Sequence, residues 1–134
     1  MKIIDGNNAI LGRLASFVAK NALEGEEIVV INCEKIIITG NKKRIQEDFA
    51  EKRTKVGSGQ KGPKVSRLNE KIVKRAIRGM LPNHRKGRGK EALKKIKCYV
   101  GVPKEYEASK KILPGRKPNV PHKNKILKIE EIFK

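Results

Sequence analysis

The sequence contains, between residues 28 and 38, the stretch Ile28-Val29-Val30-Ile31-Asn32-Cys33-Glu34-Lys35-Ile36-Ile37-Ile38. It holds two continuous β-branched runs, residues 28–31 and 36–38, in which apolar and polar residues do not alternate. Continuous runs are typical of strands that are covered on both faces, as in a sheet with parallel pairings. The stretch therefore predicts two buried strands of a layered α/β domain.

A strand and a helix are expected before this stretch. Residues 2–5 predict a short first strand. A helix follows, because apolar residues recur with the i, i+3, i+4 and i+7 spacing of an amphipathic helix. Asn7 or Asn8 is expected to cap this helix, and Gly25 to end it, since glycine adopts the left-handed conformation at little cost. The apolar face comprises Leu11, Leu14, Ala15, Val18, Ala19, Ala22 and Leu23.

Two more helices are expected after the β-branched runs. The first begins at Asn41, turns Ile45 and Phe49 inward and ends near residue 54. The second follows Ser66 as its cap and ends between Gly79 and Pro82. Its apolar stripe comprises Leu68, Ile72, Ala76, Ile77 and Met80.

The remaining elements are shorter. A helix is expected at residues 91–96 and a last core strand at 98–102, which Pro103 ends. Residues 110–125 are basic and rich in proline, and they predict an irregular extended arm. Residues 126–133 predict a short amphipathic helix. At 134 residues, the chain is expected to form a single domain.

Positive charge is concentrated in one part of the chain. The 33 Lys and Arg residues outnumber the 14 acidic residues, for a formal net charge of +19. Residues 1–51 form a near-neutral scaffold, with 7 basic and 8 acidic residues. Residues 52–90 form a basic loop-helix-loop segment with 14 basic residues and one acid, Glu70. Residues 91–109 complete the core, and 110–134 form a basic tail.

This charge predicts a polyanionic partner, because a folded chain with so much like charge repels itself. Aromatic residues make up 4% of the chain and tryptophan is absent, which argues against a protein that stacks unpaired bases on exposed rings. Contact with backbone phosphates is the better prediction. No segment approaches the roughly 18 apolar residues of a membrane span, so no membrane partner is expected.

The sequence disfavours three other kinds of site. Residues 57–62 match the dinucleotide-binding pattern G-x-G-x-x-G, but a charged helix is expected before them and Pro63 follows. The better interpretation is a flexible loop whose glycines let the backbone approach a phosphate closely. Metal binding is not expected, because Cys33, Cys98, His84 and His122 lack paired ligand spacing. Neither cysteine has a sequence neighbour that would lower its pKa, so no Cys–His nucleophile is predicted. Two cysteines form no disulfide framework, which favours a reducing, intracellular compartment.

Several motifs resemble one known family. The first motifs are three short segments, at residues 11–16, 30–34 and 38–40. The next is Arg78-Gly79-Met80-Leu81-Pro82, which is followed by residues 87–88 and 92–94. The last is Tyr99-Val100-Gly101-Val102-Pro103. Over roughly residues 2–106, this pattern resembles the large-subunit ribosomal protein L-thirteen family, in its archaeal and eukaryotic branch. The resemblance implies a three-layer α/β/α fold with a largely parallel four-stranded sheet. It implies a cytoplasmic, non-catalytic component of the large ribosomal subunit that contacts large-subunit rRNA and neighbouring ribosomal proteins and supports assembly, with no cofactor or small-molecule substrate.

The predicted contacts with rRNA lie on the basic loops, one helix face and the arm. Arg13 is expected either to reach RNA or to brace the turn at residues 78–82. Arginine suits a bidentate phosphate contact, whereas lysine supplies a point charge. The predicted RNA-binding residues are Arg13, Lys55, Lys61, Lys64, Arg67, Lys71, Lys74, Arg75, Arg78, His84, Arg85, Lys86, Arg88, Lys90, Arg116, Lys117 and Lys123.

Two alternative functions stay open from the sequence. An RNA-modifying or nucleotide-using enzyme would need convergent acids, bases or nucleophiles, but Glu70 is the one acid in residues 52–90. A general DNA- or RNA-compacting protein would often dimerise or insert apolar wedges into a groove, and neither feature is evident.

Overall fold

The computed structural model describes residues 1–114 and 125–134. The strands in this part are β1 Lys2–Asp5, β2 Ile28–Ile31, β3 Ile37–Thr39, β4 Ile96–Cys98, β5 Lys111–Ile112 and β6 Ile126–Lys128. The α-helices are α1 Leu11–Leu23, α2 Lys42–Thr54, α3 Asn69–Met80 and α4 Gly87–Lys94. Within the described ranges, no helix has both the length and the apolar character needed to cross a membrane.

The main sheet has four parallel strands in the order β4-β2-β1-β5. Ile4 of β1 pairs with Val30 of β2, which pairs with Cys98 of β4 on its other side. Every residue of β2 is buried, as its continuous apolar run predicted. The largely parallel four-stranded sheet is therefore confirmed.

The two faces of the sheet are covered differently. On one face, Ile4, Ile28 and Val30 belong to the main core together with the buried residues of α1 and α3. On the other face, Ile3, Val29 and Ile31 form a smaller cluster, against which Tyr99, Val102 and Tyr106 pack. A turn of 3₁₀ helix, Lys104–Tyr106, contributes to this second cover. The arrangement is consistent with the three-layer α/β class.

The second β-branched run does not join the parallel sheet. After β2, Asn32 takes a left-handed conformation with φ 55°, and its side-chain amide donates to Asp5 Oδ1 at 2.8 Å. The chain turns away from the sheet there, and β3 pairs antiparallel with β6 instead. The run is nevertheless buried at its start, because β6 and the turn after it cover Ile36 and Ile37.

Two predictions for the C-terminal region are wrong. The fourth strand of the sheet, β5, lies inside the segment predicted to be an irregular arm. The predicted terminal helix is instead β6 followed by a 3₁₀ turn, Ile129–Glu131. The Ile129 backbone N–H donates to Ile36 O at 3.0 Å, so main-chain pairing with β3 overrides the amphipathic pattern.

The predicted start of α1 is wrong, whereas its predicted end and the predicted cap of α2 are confirmed. Neither Asn7 nor Asn8 caps α1: the N–H of Asn7 donates to Asp5 Oδ1 at 2.9 Å, and Asn8 has φ 57°. That polar turn occupies both asparagines, so the helix begins later, after Ile10. Gly25, with φ +98°, follows the helix end as predicted. Asn41 caps α2 by accepting from the Lys43 N–H at 3.1 Å, also as predicted.

Helix α3 departs from its predicted stripe at both ends. Its buried residues are Ile72, Val73 and Ile77, whereas Leu68 and Met80 are 52% and 44% exposed. Helix α1 packs against α3, and the buried residues of α3 all lie between residues 72 and 77.

The predicted cap of α3 is wrong, whereas its predicted end between Gly79 and Pro82 is confirmed. The Ser66 hydroxyl accepts from the Leu68 N–H at 3.2 Å, in a turn that precedes the helix. Gly79 lies inside the helix and is not among the positive-φ glycines. The helix continues to Met80, and the chain becomes extended at Leu81.

The second loop of the predicted loop-helix-loop segment is partly helical, because α4 begins at Gly87, whereas this helix was expected to begin at residue 91. The last core strand also lies earlier than predicted, at Ile96–Cys98 rather than at 98–102. Its pairing with β2 continues for one more hydrogen bond, from the Tyr99 N–H to Val30 O at 2.8 Å.

Candidate nucleic-acid interface

One face of α3 gathers four of the predicted contacts. Lys71, Lys74, Arg75 and Arg78 line a shallow depression of about 220 Å³ together with Leu93 of α4. The opposite face of the helix is held in the core by its three buried residues. Burial of that apolar face therefore fixes the direction of the cationic face.

Two of these four cations are tied to the backbone of neighbouring segments. Lys74 Nζ donates to Ile96 O at 2.9 Å, and the Arg75 guanidinium donates to Lys64 O at 3.3 Å. Lys71 and Arg78 form no side-chain hydrogen bond or ion pair with any described residue. The face therefore combines two anchored charges with two that form no ion pair with a described acidic residue.

The loop between α2 and α3 adds exposed lysines beside this face. It contains a 3₁₀ turn, Ser58–Gln60, and closes on itself through a hydrogen bond from the Gly62 N–H to Val56 O at 2.6 Å. Lys61 and Lys64 are exposed. Helix α3 begins only at Asn69, so the third glycine of the G-x-G-x-x-G pattern does not open a helix. The loop thus lacks the geometry of a dinucleotide-binding turn.

Lys55 and Arg67 differ from the other loop cations in having partners. Lys55 Nζ forms an exposed ion pair with Glu51 Oε1 at 2.8 Å. This contact lowers the pKa of Glu51 and raises that of Lys55 through a hydrogen bond and charge attraction. The Arg67 guanidinium lies over the Phe133 ring, 5.9 Å from its centroid. The Phe133 ring of the C-terminal segment therefore contacts one face of the Arg67 guanidinium and helps to position it.

The start of α4 is the third cationic region. His84 is half-buried, whereas Arg85, Lys86, Arg88 and Lys90 are exposed. The first turn of α4 contains no acidic residue. Cations at a helix N-terminus are unfavourable, because the backbone N–H groups already give that end a partial positive charge. This arrangement favours an external anion.

Arg13 is exposed in the first turn of α1. The nearby Ser16 hydroxyl donates to Met80 Sδ at 3.2 Å, which places the start of α1 beside the end of α3. Arg13 itself forms no side-chain hydrogen bond with any described residue, so the predicted bracing of the turn at 78–82 is not observed there. Arg116, Lys117 and Lys123 lie outside the described residues, as does His122.

The charges of this region are mostly not neutralised by ion pairs within residues 1–114 and 125–134. The described residues contain two ion pairs, Lys2–Glu26 and Lys55–Glu51. Of the 14 basic residues in segment 52–90, Lys55 alone takes part in one of them.

Sequence reasoning missed Lys97, which is exposed on β4 and lines a second depression with Lys71 and Lys74. Its position between Ile96 and Cys98 was the available signal, since alternate strand residues face opposite sides.

The pKa of the Cys98 thiol is lowered by residues that are distant in sequence, whereas the sequence prediction concerned only its neighbours along the chain. A hydrogen bond with Cys33 and the charge of Lys74 lower the pKa of the Cys98 thiol, although burial opposes them. The same hydrogen bond and burial raise the pKa of Cys33. The sequence around each cysteine does not reveal this pair, because Cys33 follows β2 and Cys98 ends β4.

In residues 1–114 and 125–134, no group of three or more His, Cys, Asp or Glu side chains is placed to hold a metal.

Comparison with known proteins identifies the family. The sequence model described as "Ribosomal protein L13" matches residues 1–105. The chain is 53% identical over 106 residues to "Large ribosomal subunit protein uL13" of Methanococcus maripaludis, covering 77% of each protein. It is 49% identical over 115 residues to the protein of that name from Methanocaldococcus jannaschii, covering 84% of this chain and 83% of the relative.

A third archaeal relative gives the same result. "Large ribosomal subunit protein uL13" of Thermoplasma volcanium is 44% identical over 110 residues, covering 82% of this chain and 79% of the relative. The family match includes the parallel strands β1, β2 and β4 and all four helices given above. These matches confirm the resemblance found in the sequence motifs, and the chain belongs to the ribosomal protein L13 family.

Proposed function

We propose that this chain, a structural protein of the large ribosomal subunit and not an enzyme, holds large-subunit rRNA through backbone phosphates and supports subunit assembly. Its place would be the cytoplasmic ribosome. The observation that carries the proposal is the cationic face of α3, flanked by exposed basic residues before and after the helix. Few of these charges are neutralised within the described part of the chain.

The proposed mode of contact follows from the kinds of side chain present. Lys71 and Arg78 would bind phosphates directly, while Lys74 and Arg75, held by backbone carbonyls, would do so with less loss of side-chain entropy. The start of α4 would add backbone N–H groups and four exposed cations. Such contacts fix position on a folded RNA more than they read bases.

Neighbouring large-subunit proteins are the second class of partner in this proposal. Leu68 and Met80, at the two ends of α3, are large apolar side chains that the core leaves exposed. Both side chains are available for contact with a neighbouring protein, and membership of the family makes such a neighbour the expected partner. They support a site at which rRNA and a neighbouring protein meet.

The experiment is a binding titration of the full chain across a salt series. Large-subunit rRNA, an unrelated structured RNA and duplex DNA would be compared at equal salt. If roughly 6–10 phosphates are contacted, affinity for the rRNA should fall by about 10³–10⁵ between roughly 50 and 200 mM salt. A steep slope with preference for the rRNA supports the proposal. A steep slope with equal affinity for all three supports a general nucleic-acid-compacting protein, and a shallow slope contradicts phosphate binding.

A further inference from the structure

Two cysteines meet across neighbouring strands at the edge of the core. Cys98 is the last residue of β4, and Val30 of β2 is its partner in the register. Cys33 follows β2 in a 3₁₀ turn, and its N–H donates to the carbonyl oxygen of Tyr99 at 3.1 Å. Backbone pairing therefore places the two cysteines side by side, and the Cys33 thiol donates to the carbonyl oxygen of Val30, the register partner of Cys98, at 3.8 Å. Both cysteines are free thiols.

The two thiols differ in access to solvent. Cys33 is fully buried in the main core. Cys98 is partly exposed and lines an open depression of about 370 Å³, whose wall includes Lys74, Lys97 and Tyr99. A small reagent in solution therefore reaches the sulfur of Cys98 before that of Cys33.

The surroundings of Cys98 also favour its thiolate. The polar contact with Cys33 and the nearby ammonium group of Lys74 lower the pKa of Cys98, while burial and, more weakly, Glu70 act in the opposite direction. The thiolate is the nucleophilic form of cysteine, and reactive cysteines occur in electropositive, partly exposed surroundings. Cys33 has the opposite character, because burial and its partner raise its pKa.

We propose that Cys98 is a modification site for low-molecular-weight disulfides and that Cys33 is its resolving thiol, so that the pair closes an intramolecular disulfide. The Cys98 thiolate attacks one sulfur of the small disulfide, forms a mixed disulfide and releases one small thiolate. Cys33 then attacks the Cys98 sulfur and loses its proton, and the second small thiolate leaves. The small disulfide gains two electrons, and the two cysteines lose two electrons and two protons.

The test uses the full chain without RNA, so its result is independent of the proposed ribosomal role. The protein is incubated with oxidised glutathione, and the remaining free thiols are alkylated before mass spectrometry. The expected product lacks two hydrogen atoms and contains a peptide cross-link between Cys33 and Cys98. A wild-type product that stops at glutathione on Cys98, forms only disulfide-linked dimers or does not react would overturn the proposal.

Two single variants separate the roles of the two thiols. Cys33→Ala should accumulate the glutathione mixed disulfide on Cys98, because the resolving thiol is missing. Cys98→Ala should leave Cys33 unmodified while the protein stays folded, since Cys33 is buried. Far-ultraviolet circular dichroism establishes that each variant is folded. Modification of Cys33 in a folded Cys98→Ala variant would contradict the assigned order of attack.

A third variant tests the surroundings of Cys98 without removing a sulfur. Lys74→Gln removes the ammonium group that favours the thiolate. Alkylation of Cys98 by iodoacetamide at neutral pH should slow by roughly twofold or more relative to the wild type. An exposed lysine elsewhere, replaced in Lys20→Gln, is the matched control and should leave the rate unchanged. Equal alkylation rates in all three proteins would show that the Lys74 ammonium group does not favour the Cys98 thiolate.

Discussion

The α-carbon of Gly89 in α4 lies directly against the carbonyl oxygen of Pro82, and no side chain fits between them. An added Cβ would overlap that oxygen and come within 2.8 Å of the Pro82 carbonyl carbon. Backbone atoms cannot turn aside as a flexible side chain can. Gly89→Ala should therefore lower the free energy of unfolding by about 1–3 kcal/mol, the range for overpacking, as measured by urea denaturation.

A second helical glycine provides the matched control. An added Cβ at Gly79 in α3 meets no atom within 4 Å, and this glycine does not have positive φ. Gly79→Ala should raise stability by up to about 1 kcal/mol, because alanine loses less backbone entropy in a helix. Equal effects of the two substitutions would contradict the close approach assigned to Gly89.

The same glycine shows why part of the fold was not predictable from sequence. Residues 87–90 combine glycines with cations, a composition typical of loops, so a basic loop was predicted where α4 begins. The composition does not reveal that the folded turn brings the Pro82 carbonyl oxygen against Gly89, where only glycine fits. The strand β2 was predictable because its four buried residues are local in sequence.

Other errors arose from pairings between distant segments. Ile36 to Ile38 had the composition of a buried strand, but composition does not identify the partner, and β6 pairs with this run rather than the parallel sheet. Strand β5 is two residues long and begins with Lys111, so it carried no periodic signal. For the candidate site, the shared face of Lys71, Lys74, Arg75 and Arg78 was predictable from helical spacing. The proximity of Cys33 and Cys98 was not, because β2 and β4 meet only in the folded chain.

Loss of single cations from α3 should weaken RNA binding without unfolding the protein. Arg75→Ala and Arg78→Ala are each expected to reduce affinity for large-subunit rRNA by roughly fivefold, about 1 kcal/mol, and to reduce the salt slope by about 1. Neither side chain belongs to the buried core. Melting temperatures should therefore stay close to the wild-type value.

Lys20→Ala is the control for this pair. Lys20 is exposed near the end of α1, and its replacement changes the net charge equally. Filter binding and thermal denaturation of all three variants separate a contact with RNA from a general charge effect. If Lys20→Ala weakened binding as much as Arg78→Ala, the specific role of the α3 face would be lost.

The ion pair with Glu51 partly neutralises the positive charge with which Lys55 would bind an RNA phosphate. Their exposed ion pair, at 2.8 Å, contributes little stability, because such pairs are screened by solvent. Glu51→Gln should therefore leave thermal stability nearly unchanged and increase rRNA affinity, most clearly at low salt. Glu24→Gln removes the same charge at the end of α1 and is the comparison for fluorescence-anisotropy titrations. Weaker binding by Glu51→Gln would mean that Glu51 itself positions Lys55 for RNA.

Phe133 is expected to anchor the C-terminal segment to α2. Its ring meets that of Phe49 edge to face, with centroids 6.1 Å apart, and the guanidinium of Arg53 lies 5.5 Å from its centroid. Arg67 contacts the same ring from the segment before α3. Edge-to-face pairs and cation–π contacts each contribute about 0.5–1.5 kcal/mol beyond burial.

Phe133→Ala should therefore lower the free energy of unfolding by roughly 2–3 kcal/mol, the combined loss of the ring pair, the cation contacts and the partial burial. Phe133→Leu should recover part of that loss, because leucine restores apolar packing without a ring. Phe17→Ala removes an aromatic ring that is more than one-third exposed on α1 and should have a smaller effect. Chemical denaturation of the three variants measures these differences, and equal stability of Phe133→Ala and wild type would show that the C-terminal segment is not held by this ring.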